Sequence, residues 1–422
     1  MGNAIDNRMG PLRSGQTVAV VGGGPAGASC AIMLRILAST ACISLQVVLF
    51  EPKDFAIQRN VCVGVLSPPF RALLNQLGLA LPEDMIQRRI KGYMLHSKKQ
   101  TVMLEEKSGS EHTLVVARAD LDRFLLRSAQ EAGASVVRDA VADIRPGPDQ
   151  VVVSTQGGAS VPADVVVGAF GLDEKMLSVF EARVPGFRRP PVTKSILTEI
   201  PSSKEDVDTR MDDTVHAMLV GVVPGTEFGA LTPNLDRVTV NIAGENVTDR
   251  DLDALLRLRW SRELVPNATL KEPRLYHAFP CGPARNAYGD RIVTIGSASG
   301  LLRPLKGKGI NTGMITGIRA ATTIIEDGIS RRAFDAFYSR CHDLTSEFKY
   351  GSVLRGLYRL ADRVDALDAM LTLARREPLL YQAFYNMVSG EGSYREIIRR
   401  SARPRLMAKI GLAIVRERIE GR

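Results

Sequence analysis

Glycines are the residues of this 422-residue chain whose spacing speaks most clearly of chemistry. Gly22, Gly24 and Gly27 stand as G-x-G-x-x-G in "TVAVVGGGPAGASCAIMLRIL", after a β-branched run at 17–21 and before a segment of helical composition at 26–38. In such a strand–turn–helix the first glycine makes the tight turn and the second lets the backbone approach a pyrophosphate. The third lets helix and strand close on one another, with the anion at the helix N-terminus. The following strand, "LQVVLFE", ends at Glu51, where a carboxylate can accept hydrogen bonds from ribose hydroxyls. The whole reads as a βαβ unit of a parallel sheet with a dinucleotide as ligand, although "ASTACIS" makes the helix-to-strand connection longer than usual.

A second cluster lies far downstream, in "RIVTIGSASGLLRPLKGKGIN", where a short apolar strand runs into a loop with Gly296, Gly300, Gly307 and Gly309. A helix is expected to begin near Gly309 or Asn311, with Lys306 and Lys308 beside its N-terminus.

Other chemistry is sparse. The five cysteines (Cys30, Cys42, Cys62, Cys281, Cys341) are scattered and form no C-x-x-C, and the five histidines show no metal-ligand spacing, so no metal is expected. His216, Glu227 and His277 are only candidates for proton transfer, each more readily read as structural or surface. The net charge of +9 favours anionic partners such as nucleotide phosphates or acidic lipid surfaces; a solvated basic face is the plain alternative. The polar N-terminus and the lack of a long apolar run suggest a cytoplasmic protein.

These residues need a scaffold. "DLDRFLLRSAQEA" (120–132) places Leu121, Phe124, Leu125 and Ala129 on one helical face, stopped by Gly133. "SVVRDAVADI" and "QVVVSTQG" suggest a small antiparallel layer, and "ADVVVGAFG" a buried strand. From Arg188 to Arg274, "VHAMLVGVVP", "EFGALTP" and "RVTVNIAG" suggest a larger antiparallel sheet, and beyond Ile310 the pattern is helical to the end. The last segment, "SYREIIRRSARPRLMAKIGLAIVRERIEGR", alternates arginines with apolar residues and is broken near Pro404. It suits either an anionic membrane surface or packing on the rest of the chain; the aromatics of "EPLLYQAFYNMV" suit a core, and no base-reading motif points to nucleic acid.

Much of the stretch from Thr17 to Asp327 resembles the FAD-dependent oxidoreductases of the geranylgeranyl reductase and aromatic hydroxylase (p-hydroxybenzoate hydroxylase-like) superfamily. "GGGPAGA" matches that group's first loop, and "GSASGLLRPLKGKGIN" its G-D-A-A-G…P…G-x-G-I loop. The resemblance implies that FAD is held by Gly22, Gly24, Pro25, Ala26, Gly27 and Glu51 at one end. Gly296, Ser297, Gly300, Pro304, Gly307, Gly309, Ile310 and Asn311 would hold the other. "RADLDRFLLRSAQEAGA" resembles the R-x-x-F-D-x-x-L helix, with Arg118 near the FAD and Asp122 at the aspartate position. "NVCVGVLSP" resembles the reductases' C-G-G-G-L-S-P, which would put Cys62 beside the ring or the substrate, as a catalytic candidate, or leave it a buried structural cysteine.

Three departures stand out. Ser297 replaces an aspartate that accepts bonds from the ribityl hydroxyls, which predicts looser FAD binding. Phe170 replaces the aspartate of a "GADG" turn, which puts NAD(P)H as electron donor in doubt. "FGALTP" replaces Y-x-W-x-F-P, so the implied substrate pocket at Phe228, Ala230 and Thr232 is less aromatic than a prenyl reductase's.

The expected fold is α/β: a discontinuous Rossmann-like FAD domain (17–68, 115–182, 276–327), an antiparallel β substrate domain (69–114, 183–275) and a helical C-terminal region (328–422). The expected activity is FAD-dependent reduction of a carbon–carbon double bond in a lipid-like or other hydrophobic substrate. The alternatives are oxygen-dependent hydroxylation of a small molecule or peptide, or a non-catalytic FAD-binding or membrane-surface protein.

Overall fold

The computed structural model describes residues 9–58, 61–105, 111–269, 271–303 and 308–420. Every residue of the strand Thr17–Val21 is buried. It sits between two parallel neighbours, Gln46–Phe50 and Val165–Gly168. Ser135–Val137 extends the sheet on one side; Ile292–Thr294 and then the antiparallel Tyr288–Gly289 extend it on the other. Parallel strands are covered on both faces, which explains their unbroken Val, Ile and Leu runs.

Side chains alternate across this six-stranded sheet. Val18, Val20, Val165 and Val167 meet the helices Pro25–Thr40, Arg118–Glu131 and Gly309–Glu326. Ala19, Val21 and Val166 meet the other cover, made by the helix Glu174–Arg183 and the antiparallel strands Val141–Pro146, Val151–Thr155 and Ser160–Ala163. The segment expected as one antiparallel layer is therefore divided. Ser135–Val137 joins the parallel sheet, because it leaves its helix at Gly133 in line with Gln46–Phe50; only the strands after it form the small layer.

A second sheet has seven strands in the order Leu275–Pro280, Val192–Pro201, Arg237–Gly244, Phe228–Pro233, Thr214–Met218, Gly92–His96 and Thr101–Glu105. It is antiparallel except where Thr214–Met218 runs parallel to Gly92–His96. The boundary expected at 275/276 falls inside Leu275–Pro280, which by pairing is an edge strand of this sheet. One face carries the helices Lys204–Met211, Asp249–Arg257 and Arg259–Leu264. At the start of Asp249–Arg257, Thr248 and Asp251 form a reciprocal capping box. The opposite face meets helices of the C-terminal region through Tyr93, Leu95, Val215 and Ala217.

Beyond Gly309 the described chain is helical, through His342–Arg363, Pro378–Ser389 and Tyr394–Ser401 to Pro404–Glu420. The break falls at Pro404, where proline suits a helix start.

Candidate active site

The first glycine loop leaves Thr17–Val21 with Gly22 at φ +108°. A Cβ at Gly22 would come 2.5 Å from the Ala169 carbonyl oxygen, and one at Gly27 would come 1.8 Å from the Gly22 carbonyl oxygen. Both positions are closed to any side chain. Gly24 is different: a Cβ there meets nothing within 4 Å. Open space thus lies over the N-terminus of Pro25–Thr40, whose first amides have no side-chain cap. That is the geometry an anion would use. Glu51 closes the loop from below, accepting from the Gly23 amide at 2.8 Å and the Lys53 amide at 2.9 Å. Burial raises its pKa, and the two amide bonds oppose the rise.

The second loop meets the first through one residue. A Cβ on Gly296 (φ +59°) would approach the Cβ of Ala26 to 2.9 Å, and one on Gly317 would come 2.3 Å from the Ala26 carbonyl oxygen. The helices Pro25–Thr40 and Gly309–Glu326 therefore cross with little between them, and their N-termini open on neighbouring space. The Gly296 amide donates to Thr316 Oγ1 at 3.0 Å, fixing the loop to the helix that follows. The helix starts at Gly309, as expected. Pro304, Lys306 and Gly307 lie outside the described residues. Lys308 donates to Ser67 Oγ and to the Ser389 carbonyl, so it ties three segments together at that helix N-terminus.

Between the second loop and the seven-stranded sheet lies a cavity of ≈ 340 Å³. At one end it is lined by Ser297, Gly309, Ile310, Asn311, Arg118 and Cys62. Asn311 Nδ2 donates to the Ser67 carbonyl at 2.7 Å, which holds the "LSP" segment against the helix. Arg118 Nε donates at 2.9 Å to Asp122, whose side chain is fully buried. Burial opposes the Arg118 charge, but the Asp122 carboxylate and the nearby Cys62 thiol outweigh it and raise its pKa. The guanidinium is therefore a fixed positive charge next to Cys62.

Along its middle the cavity is mostly apolar, with Asn241 lining it from the strand beside Ala230. Phe228, Ala230 and Thr232 line it from one strand, and Val215 and Ala217 from the next. Because alternate residues face opposite ways, His216 lies on the far face of the sheet. There its Nδ1 is 3.0 Å from His96 Nε2, and His96 stacks on Trp260 at a centroid distance of 3.9 Å. Burial lowers the pKa of His216 to about 4; burial and His216 together lower that of His96 to about 3. His216 is thus a neutral structural histidine, and its candidacy for proton transfer is withdrawn. His277 and Glu227 do line the cavity. His277 Nδ1 is buried without a hydrogen-bond partner, and burial lowers its pKa.

Phe170 stands where the resemblance implies an aspartate. Its ring packs on Phe180 at 4.6 Å in the core behind the first loop, and a Cβ on Gly168 would come 2.8 Å from it. An apolar side chain there is a packing solution.

Known proteins resemble this chain in sequence and in fold. A family model described as lycopene cyclase protein matches residues 17–189. The chain is 24% identical over 393 residues to digeranylgeranylglycerophospholipid reductase 2 of Methanopyrus kandleri, covering 89% of this chain and 93% of that one. The chain is similar to reductases of this kind along most of its length. Its fold is that of a geranylgeranyl bacteriochlorophyll reductase-like protein from Thermoplasma acidophilum, with TM-score 0.69, 18% identity, and coverage of 92% of this chain and 98% of the other. The flavin-dependent brominase Bmp2 superposes with TM-score 0.67 at 20% identity, over 90% of this chain and 98% of the other.

The far end of the cavity comes from residues the sequence did not single out. Arg355, Tyr358 and Arg359, from the helix His342–Arg363, and Met387 and Val388, from Pro378–Ser389, complete the lining. Glu227 Oε2 lies 3.2 Å from Arg355 and Oε1 accepts from Arg359 at 2.9 Å. The only advance signal was spacing: Arg355, Tyr358 and Arg359 fall on one helical face. Of the aromatic-rich segment "EPLLYQAFYNMV", Phe384 and Tyr385 are core, as expected. The C-terminal helices also grip the second loop. Arg303 donates to Glu347 at 2.9 Å and to the carbonyls of Gly390 and Gly392, and its guanidinium lies 5.0 Å from the Tyr394 ring centre.

Proposed function

We propose that this protein is a flavoprotein that reduces a carbon–carbon double bond in a lipid-like substrate, with FAD held between the two glycine loops. Bound FAD, once reduced, supplies the hydride; everything else is the work of the chain. One observation carries the reading: the cavity that begins at Gly309–Asn311 continues as an apolar passage along Ala230, Val215 and Ala217. Its volume of ≈ 340 Å³ lies within the ~300–1,000 Å³ usual for small-molecule sites. The names of the reductases it resembles point to the same substrate class.

Each residue then has a task. The open space at Gly24 and the uncapped amides after it suit the pyrophosphate, and Glu51 suits the adenosine ribose. The amides of Gly309 and Ile310 begin a helix whose positive end faces the other glycine loop and favours negative charge there. Ser297 offers a hydroxyl beside Gly309, where a built Cβ lies 3.9 Å from Ser297 Oγ. Arg118, fixed by Asp122, and Cys62 border the same end of the cavity and position what binds there. The apolar walls exclude water from the reacting carbon atoms. Phe170 removes a polar contact that a nicotinamide donor would use, so the reductant is best supplied chemically when the reaction is tested.

The test is a single turnover. Protein loaded with FAD and reduced by dithionite without oxygen is mixed with a prenyl lipid. The reading predicts flavin reoxidation and a product heavier by two hydrogens per reduced bond. A product that forms only with oxygen and carries an added oxygen atom replaces it with the hydroxylase reading; flavin that is reduced normally but never turns over favours a non-catalytic FAD protein.

A further inference from the structure

We propose that the outward face of the helix His342–Arg363 docks on an anionic bilayer and holds the Arg355–Arg359 end of the cavity at the headgroup layer. The helix has two apolar sides. One buries Leu344, Phe348 and Leu354 in the protein. The other leaves Val353, Leu357, Leu360 and Val364 exposed by 48%, 49%, 57% and 38%. Their spacing of four, three and four residues makes a single stripe. A soluble surface keeps such a stripe polar; a continuous bare one marks a contact. With Met407, Leu412, Val415 and Ile419, these two C-terminal helices and the capping Val364 hold eight of the thirteen large apolar residues exposed among the described residues.

Charge selects the partner. Exposed Lys349 and Arg363 border the stripe, with Arg359, ion-paired to Glu227 at 2.9 Å, beside them. The acids at its end, Asp362 and Asp365, face Lys98 of the adjoining loop at 2.8 and 3.5 Å. A second copy of this chain would bring two cationic rims together, on a protein whose net charge is already +9. An anionic lipid surface satisfies the apolar stripe and its rim together. No described helix is long and apolar enough to cross a membrane, so this one lies in the interface.

The placement matters because of what the same helix does on its inner side. Arg355, Tyr358 and Arg359 line the cavity, and Arg359 is the one exposed residue among the described lining residues. Docking therefore sets this end of the passage against the membrane, where a lipid can enter without crossing water. That entry route rests on the lipid reading of the cavity; the docking does not.

The test is co-sedimentation of the full-length, FAD-loaded protein with vesicles of phosphatidylcholine alone or mixed with phosphatidylglycerol. Binding is expected on the mixed vesicles, weaker at high salt. Leu357→Glu with Leu360→Glu is expected to reduce it about tenfold or more with no change in melting temperature, since both side chains are already exposed. Leu412→Glu with Ile419→Glu separates the last helix. The proposal is overturned if the wild type fails to bind, or if the Leu357/Leu360 variant binds like the wild type. It is also overturned if only the Leu412/Ile419 variant loses binding, or if the wild type is a dimer that the Leu357/Leu360 variant converts to monomer without vesicle binding. Turnover of a detergent-dispersed prenyl lipid, assayed separately, reports on the cavity reading alone.

Discussion

Ala26 touches Gly296: across about 270 residues of sequence, the first turn after one glycine loop meets the bend of the other, with 2.9 Å between the Ala26 Cβ and a Cβ built on Gly296. The first helical turn of Gly309–Glu326 follows the same contact, since a Cβ on Gly313 would lie 3.4 Å from the Ala26 Cβ. Two helix N-termini are thereby brought to one region, which is what a ligand with a central pyrophosphate and an electron-accepting ring at one end requires.

That close crossing is open to test at Gly317. Gly317→Leu places side-chain atoms where even a Cβ comes 2.3 Å from the Ala26 carbonyl oxygen. The helices must separate. We expect a loss of about 1–3 kcal/mol in unfolding free energy, measured by urea titration, together with loss of retained flavin.

Glu51 links the first loop to the end of its neighbouring strand and is set to meet a ribose. Glu51→Ala removes the acceptor of the Gly23 and Lys53 amides as well as the ribose partner. FAD affinity, measured by quenching of flavin fluorescence, is expected to fall by about tenfold or more.

Ser297→Asp restores a carboxylate beside Gly309. Charge-assisted bonds to ribityl hydroxyls are roughly twice as strong as neutral ones. Slower loss of flavin on dialysis is the expected outcome; unchanged or faster loss places the ribityl chain elsewhere.

Ala230 and Thr232 face the apolar passage. Ala230→Trp fills it from the sheet side. Turnover with a prenyl lipid is expected to fall by about tenfold or more, while flavin content stays the same.

The fold legible in the sequence was the part governed by local rules. The G-x-G-x-x-G turn, the buried strand before it, Glu51 at the end of the next strand and the helix start at Gly309 all follow from residue type and spacing. Ser135–Val137 was assigned to the wrong sheet because a short β-branched strand does not reveal its partner; the choice is made by the helix that delivers it. Arg355, Arg359 and Met387 were missed for the same kind of reason. Their helical periodicity is plain, but which side of the helix closes over a cavity some 130 residues upstream is decided by packing. For His216 the structural reading holds, but a strand's alternation alone cannot say which face holds the ligand; Trp260 and His96 occupy its side.

The buried His96–His216 pair gives a pH signature. Both are held neutral in the folded protein, with pKa values lowered to about 3 and about 4. The unfolded chain takes up these protons near pH 6.5, so stability is present above that pH and falls as the solution is acidified towards about pH 4. The slope is up to about 1.4 kcal/mol per pH unit for each histidine. His216→Gln is expected to reduce the slope of urea-unfolding free energy between these limits; an unchanged slope means the pair titrates normally.

A structure of the protein with FAD bound tests the shared site most directly. One extended molecule is expected, its pyrophosphate over Gly24 at the start of Pro25–Thr40 and its ring against Gly309, Ile310 and Asn311. FAD that contacts only one of the two loops, or a second ligand occupying the other, contradicts it.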